Sequence, residues 1–217
     1  MTRDIIDETP EIWGKGYSTD STTVERDYDT FAEKGAYDET FDVWGYVGPE
    51  TAAAILKNYV SMQSRILDAA CGSGLTGTAL RNLGYAHIEG IDISAQLLAL
   101  AEQTGAYERV ARVDMQSFPL PFDDGEFDAV NFIGALTYFE TTEILRELCR
   151  IVRSGGHVVF SQRDDIMLDQ DYGEQLRELE RDGCWKRVFG TEPMPYLPEH
   201  PEYGAAIKVQ YFVYEVL

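Results

Sequence analysis

The chain is short of cysteine, of positive charge and of long apolar runs, and each shortage excludes something. Its three cysteines, Cys71, Cys149 and Cys184, are too few and too scattered for a disulfide framework or a zinc site. Lysine and arginine total 18 against 38 aspartates and glutamates, a formal net charge of −20. A surface of that sign repels nucleic-acid phosphates and anionic lipid, so neither nucleic acid nor a membrane surface is an expected partner. No window approaches the roughly eighteen apolar residues of a membrane span. The acidic start carries no basic stretch followed by an apolar run, so no secretory leader is expected and a cytoplasmic, reducing setting is. Asp123 and Asp124 adjoin, but no histidine or further acid stands where it would complete a cage. They read as a solvated turn, and no metal is expected.

What is present is a folded chain. Its 217 residues, 44% apolar and 12% aromatic, suffice for one domain with a core. The organising stretch is Arg65-Ile66-Leu67-Asp68-Ala69-Ala70-Cys71-Gly72-Ser73-Gly74-Leu75-Thr76-Gly77. Ile66 and Leu67 read as a short buried strand, and Leu75 to Leu83 as the helix after a glycine-rich turn. Gly72 and Gly74 let the backbone turn sharply and approach a ligand. The helix N-terminus suits an anionic group. Gly72, Gly74 and Gly77 also match G-x-G-x-x-G, with Asp92 further along as in a dinucleotide-binding unit, so a nicotinamide oxidoreductase is one reading. Asp68 argues for another. An acid four residues before the first glycine suits a ligand carrying an ammonium group and is poor company for a pyrophosphate.

Residues 1–21 are polar, with Pro10, Gly14 and Gly16, and read as a flexible tail; the alternative is that Trp13 and Tyr17 let it fold over a site. Thr22 to Tyr59 is expected to hold two or three helices, the last opening near Pro49. His87 to Asp92 is a second strand ending in an acid. Ser94 is an N-cap, and Leu97, Leu98 and Ala101 give the next helix its stripe. Arg109 to Val113 is a third strand, followed by Asp114-Met115. Phe127 to Phe132 is a fourth, continuous and buried in character. Ile133-Gly134-Ala135-Leu136 follows it at the ligand edge. Helices are expected over 141–152 and 169–182, and strands over 157–162, 184–189 and 205–216.

The motif string resembles motif I of the class I S-adenosylmethionine-dependent methyltransferases, whose core is D/E-x-x-x-G-x-G. R-x-V-x-x-G-G-x-V-V-F, from Arg150 to Phe160, resembles that family's late motif. The Tyr-Asp segment (Tyr28-Asp29 and Tyr37-Asp38), the G-Y-x-G-P-E run from Gly45 to Glu50 and the block Phe127 to Leu136 are similar to the methyltransferase-like group named for the Williams–Beuren chromosome region. The resemblance covers about residues 22–217. It implies an α/β, Rossmann-like, mostly parallel seven-stranded sheet of order 3-2-1-4-5-7-6, its last strand antiparallel, with helices on both faces. Residues 22–60 would be a helical cap on that single domain.

The resemblance also implies a cofactor, S-adenosylmethionine, with S-adenosylhomocysteine as product, and residues to hold it. Asp68, Gly72, Ser73 and Gly74 form the loop. Asp92 would accept from both ribose hydroxyls, since a carboxylate offers two acceptor oxygens to a vicinal diol. Ile93 and Met115 would pack on adenine, and Asp114 would take its amino group. Tyr28 or Tyr37 would reach the methionine carboxylate, or simply pack on the core. Gly134 lies at the ligand edge, in a block that replaces the N-P-P-Y signature of amide and base N-methyltransferases. The acceptor is then a small molecule and the reaction an in-line methyl transfer. Tyr138, Glu140, Arg163, His157 and His200 are candidates near the methyl, none assigned as a catalytic base. A non-catalytic protein that binds the same nucleoside for regulation is the rival from another class.

Overall fold

The computed structural model describes residues 19–35, 37–169, 171–204 and 206–217. Trp13, Tyr17 and the expected tail as far as residue 18 lie outside the described residues, as does Ala205. Three helices come first: α1 (Ser21–Glu33), α2 (Tyr37–Val43) and α3 (Gly48–Leu56). α1 starts inside the expected tail because Asp20 caps it. The Asp20 carboxylate accepts the Thr23 N–H at 2.9 Å. Pro49 sits in the first turn of α3, where its missing N–H costs nothing.

Strand–helix units follow: β1 (Arg65–Ala69), α4 (Leu75–Asn82), β2 (His87–Asp92), α5 (Ala95–Gln103), β3 (Arg109–Arg112) and β4 (Phe127–Phe132). A 3-10 turn at Leu136–Tyr138 leads to α6 (Glu143–Ile151) and β5 (Val152–Arg163). Then come α7 (Asp164–Asp169), α8 (Tyr172–Arg181), β6 (Trp185–Gly190), the short β7 (Met194–Pro195) and β8 (Lys208–Val216). The sheet order is β3-β2-β1-β4-β5-β8-β6, with β7 pairing β8. Strands β1 to β5 are parallel, and β8 is antiparallel to both β5 and β6. This is the expected Rossmann-like sheet, with one short extra strand added on the last hairpin.

Boundaries differ from expectation in places. β5 starts at Val152, not His157, because the chain turns extended at the C-cap of α6 and Val152 pairs with Phe127. The helix expected over 169–182 is α8, and the short α7 before it has no counterpart among the expected elements. Asp171 between them has φ 51, a left-handed conformation that an α-helix cannot propagate through.

The pleat sends alternate side chains to opposite faces, and both faces are buried, as a parallel sheet requires. Leu67, Ala69, Val130, Phe132, Val158 and Phe160 pack on one face beneath α6 and α8. Ile66, Ile88, Ala129 and Val159 pack on the other beneath α3 and α4. α6 presents Ile144, Leu145, Leu148 and Ile151 to the first face at helical spacing. Its Arg150 fastens the Phe118–Phe127 link, donating to the carbonyls of Leu120 and Phe122 and pairing with Glu147 and Asp124. At the hairpin edge the buried Trp185 stacks on Tyr214 with ring centroids 4.1 Å apart, and Phe160 stacks on Tyr214 at 5.7 Å. Trp185→Ala is expected to cost about 3–5 kcal/mol in chemical denaturation. A loss under about 1 kcal/mol would show that the hairpin is held by its backbone ladder instead.

Candidate functional site

The strand order reverses between β1 and β4, and the crevice at their carboxyl ends is where open α/β sheets hold ligands. The loop after β1 is strained there. Ala70 has φ 57, Gly72 φ 54 and Gly74 φ 96. A left-handed alanine costs on the order of 1 kcal/mol or more, and such strain gathers at functional crevices. The Cys71 N–H donates to the Ile91 carbonyl at 2.9 Å, which stitches the loop to β2.

Asp92 holds the crevice together. One of its oxygens accepts the Gly72 N–H and the other the Ser94 N–H, each at 2.9 Å. Ser94 in turn caps α5 through the Leu97 N–H and donates to Asp29 of α1 at 2.5 Å. Burial pushes the Asp92 carboxyl above its ordinary range, against the backbone N–H groups that stabilise the anion. The cavity here encloses about 630 Å³ including its mouth. Its walls include Gly72, Asp92, Ile93, Asp114, Met115 and Gly134, with Tyr28 and Tyr37 from the helices above. Asp114 is fixed by accepting the Gln116 N–H and the Ser117 hydroxyl. Tyr28 and Tyr138 share a hydrogen bond between their hydroxyls at 2.7 Å. An adjoining cavity of about 490 Å³, mouth included, is lined by Ser73, Cys71, Tyr46 and Tyr196 among others. No lysine or arginine lines either cavity.

Asp68 and Gly74 line neither cavity. Asp68 shares its sheet face with Ile66, so it points under α4 and not into the crevice. There it accepts the Tyr107 hydroxyl at 2.7 Å, while the same hydroxyl accepts the Gly77 N–H at 3.1 Å. A Cβ on Gly77 would lie 2.2 Å from Tyr107 Cζ, and one on Gly74 would lie 3.1 Å from both Tyr107 and the Ala101 backbone. The third glycine of G-x-G-x-x-G therefore makes room for a tyrosine ring, and the N–H it leaves is already spent on a phenol. A diphosphate has lost that donor. Tyr107 carried no sequence signal, because it lies in the linker before β3, remote from every motif.

The candidates near the reacting centre separate. Tyr138 lines the first cavity. Glu140 accepts from Thr19 in a shallower neighbouring hollow. Arg163 pairs with Asp165 at 2.6 Å. His157 lies on β5 with its ring 5.6 Å from Tyr59. His200 is buried between Trp44 and Tyr203, accepting the N–H groups of Glu202 and Tyr203, and burial lowers its pKa. No histidine lines either cavity. Among the described residues no cluster of His, Cys, Asp and Glu could hold a metal, and no helix is long and apolar enough to cross a membrane.

The Asp68 carboxyl is pushed up to about 7, first by burial and then by the charge of Asp92, against the Tyr107 and Asn131 side chains. A raised folded-state carboxyl favours the fold most at low pH and loses that contribution as pH rises through the folded value. The unfolding free energy of the native chain, relative to Asp68→Asn, is thus expected to fall between about pH 4 and about pH 7. Denaturation midpoints at stepped pH check this, and a flat difference would place the proton elsewhere.

Residues 67–160 match the model of a methyltransferase domain. Human methyltransferase-like protein 27 is similar at 33% identity over 125 residues, 56% of this chain and 51% of that protein. A demethylmenaquinone methyltransferase of Bacillus licheniformis is similar at 34% over 97 residues, 43% of this chain and 42% of its own. The chain thus spans about half the length of these curated relatives. The solved structure of the cyclase SpnF shares the fold, with TM-score 0.67 at 18% identity over 90% of this chain and 96% of that one. The likeness to methyltransferases is carried by residues 67–160, the segment that holds the glycine-rich loop, and S-adenosylmethionine is the cofactor that likeness supports.

Proposed function

We propose that the chain transfers a methyl group in line from S-adenosylmethionine to a small-molecule acceptor. The observation that carries this is the crevice itself: carboxylates at the ends of β2 and β3, an apolar floor between them, and no basic side chain on its walls. That donor set fits a cationic nucleoside, whereas a dinucleotide's diphosphate would meet buried acids. S-adenosylmethionine, when bound, supplies a methyl activated by its sulfonium centre.

The chain's own residues then have these roles. Asp92 accepts from the ribose hydroxyls with the oxygen lone pairs left beside its two backbone bonds. Asp114 takes the adenine amino group, and Ile93 and Met115 flank the ring. Gly72 brings backbone close to the amino-acid end, and Tyr28 and Tyr37 close over it. Asp68 acts at one remove, holding the loop through Tyr107. Gly134 leaves open the edge of β4 where the acceptor approaches. Residues 22–217 form one domain, with 22–60 as its cap. Orientation and exclusion of water contribute up to roughly 7–11 kcal/mol when geometry is good. The named relative that methylates demethylmenaquinone supports a small-molecule acceptor.

Binding without methyl transfer is the second reading, and it draws on the likeness to SpnF, which has this fold and is described as a cyclase. Release of labelled methyl onto an acceptor, beside calorimetry with S-adenosylmethionine and with NADH, separates the readings. NADH binding without nucleoside binding would overturn both. Asp92→Ala is expected to weaken S-adenosylmethionine at least roughly tenfold, because it strands ribose hydroxyls in a dry crevice. Unchanged affinity, with the variant still folded by circular dichroism, would remove the ribose assignment.

A further inference from the structure

The adjoining cavity is continuous with the nucleoside crevice through Tyr28, Tyr37, Ala70, Gly72, Ile133 and Gly134, and beyond these shared walls its chemistry differs. Tyr37, Tyr46 and Tyr196 contribute phenols to it, and no carboxylate, imidazole or ammonium lines it, in a chain with 38 acidic residues. Tyr46 reaches its place by folding over Gly48, where a Cβ would lie 2.3 Å from the phenol oxygen. Its hydroxyl then stands 3.2 Å from where a Cβ would be on Gly134, at the carboxyl end of β4. The Tyr46 and Tyr196 rings meet edge to face at 5.6 Å. Neither hydroxyl has a hydrogen-bond partner among the described residues. Behind Tyr196, the Arg163 guanidinium stands 5.8 Å from the ring centroid.

Burial holds both phenols neutral, pushing each above its ordinary value. The other groups around them act in both directions. Tyr28, Tyr37 and Tyr211 raise Tyr46 further, whereas Arg163 lowers Tyr196 and Asp165 raises it. Neutral phenols donate hydrogen bonds, and donors to a charged acceptor are about twice as strong as donors to a neutral one. None of these groups can take a proton from an acceptor near neutral pH, so a nucleophile here must arrive deprotonated.

We propose, resting on the methyltransferase reading above, that Tyr46 and Tyr196 form an acceptor subsite selecting a small acid whose nucleophile is an anionic oxygen on an apolar body. The oxygen–carbon bond forms as the carbon–sulfur bond breaks, the bond's electron pair goes to sulfur, and no proton leaves in that step. An amine acceptor finds no base here and no carboxylate for its cationic form.

The test uses the full chain saturated with S-adenosylhomocysteine and the probes 4-nitrophenolate, benzoate and benzylamine. Calorimetry is expected to show both anions bound more tightly than benzylamine. The 4-nitrophenol absorbance is expected to report a lower ionisation pH when bound than free. Tyr46→Phe and Tyr196→Phe should each weaken the anions roughly tenfold while S-adenosylhomocysteine affinity holds, which also certifies folding. Benzylamine binding as well as the anions, no anion binding at all, or anion affinity indifferent to both substitutions overturns the proposal. Failure of S-adenosylhomocysteine to bind native chain overturns the methyltransferase reading instead.

Discussion

The packing of one ring against three glycines underlies the site. Tyr107 lies against Gly74, Gly77 and Gly90, where a Cβ would come within 3.1, 2.2 and 3.0 Å of its ring. Its hydroxyl joins the buried Asp68 carboxylate to the first turn of α4. An acid sealed from water needs a donor, and the helix start needs an acceptor. A phenol meets both demands at once. The position of the loop, and so of Gly72 and the crevice, follows from that arrangement.

From there the crevice is built by backbone capture. Asp92 binds the N–H groups of Gly72 and Ser94, so it fixes the ends of β1 and β2 relative to each other before any ligand arrives. Preorganisation of this kind moves the cost of ordering from binding to folding. It also separates charge by location. Carboxylates gather where β2 and β3 end, and neutral hydroxyls gather over β4.

Much of this was legible in the sequence, for identifiable reasons. Buried parallel strands read as unbroken apolar runs, and Phe127 to Phe132 lies where its composition put it. Ser94 announced α5 because a cap is a local interaction, encoded within three residues. Acids at strand ends were legible for the same local reason, and Asp92 and Asp114 face the crevice. What could not be read depends on contacts between distant segments. Asp68 stands at the right place in the chain, but the pleat turns it away from the ligand side, and only Tyr107, 39 residues on, explains its burial. The short α7 at Asp164–Asp169 had no local pattern to announce it, whereas α8 lies within the span its spacing indicated. Tyr46 lay within a recognisable run, yet its reach over Gly48 to Gly134 is a matter of three-dimensional placement.

The helices over the crevice have a small core of their own. Phe31, Phe41, Trp44 and Leu197 cluster apart from the two layers that flank the sheet, and Tyr28, Tyr37, Tyr46 and Tyr196 pack around them. To the sheet domain this body is joined partly by hydroxyl–carboxylate pairs, Asp29 with Ser94 and Asp38 with Ser73. Such pairs exchange for water at little net cost, whereas an apolar cluster does not come apart cheaply. The body is nevertheless anchored in the sheet's own layers, through Val24 and Tyr28 against the first layer and through Tyr196 beside Val209 and Tyr211 of β8. Leu197 and Tyr196, from the far end of the chain, pack with the first helices, so the phenol wall is built jointly by the two ends of the sequence.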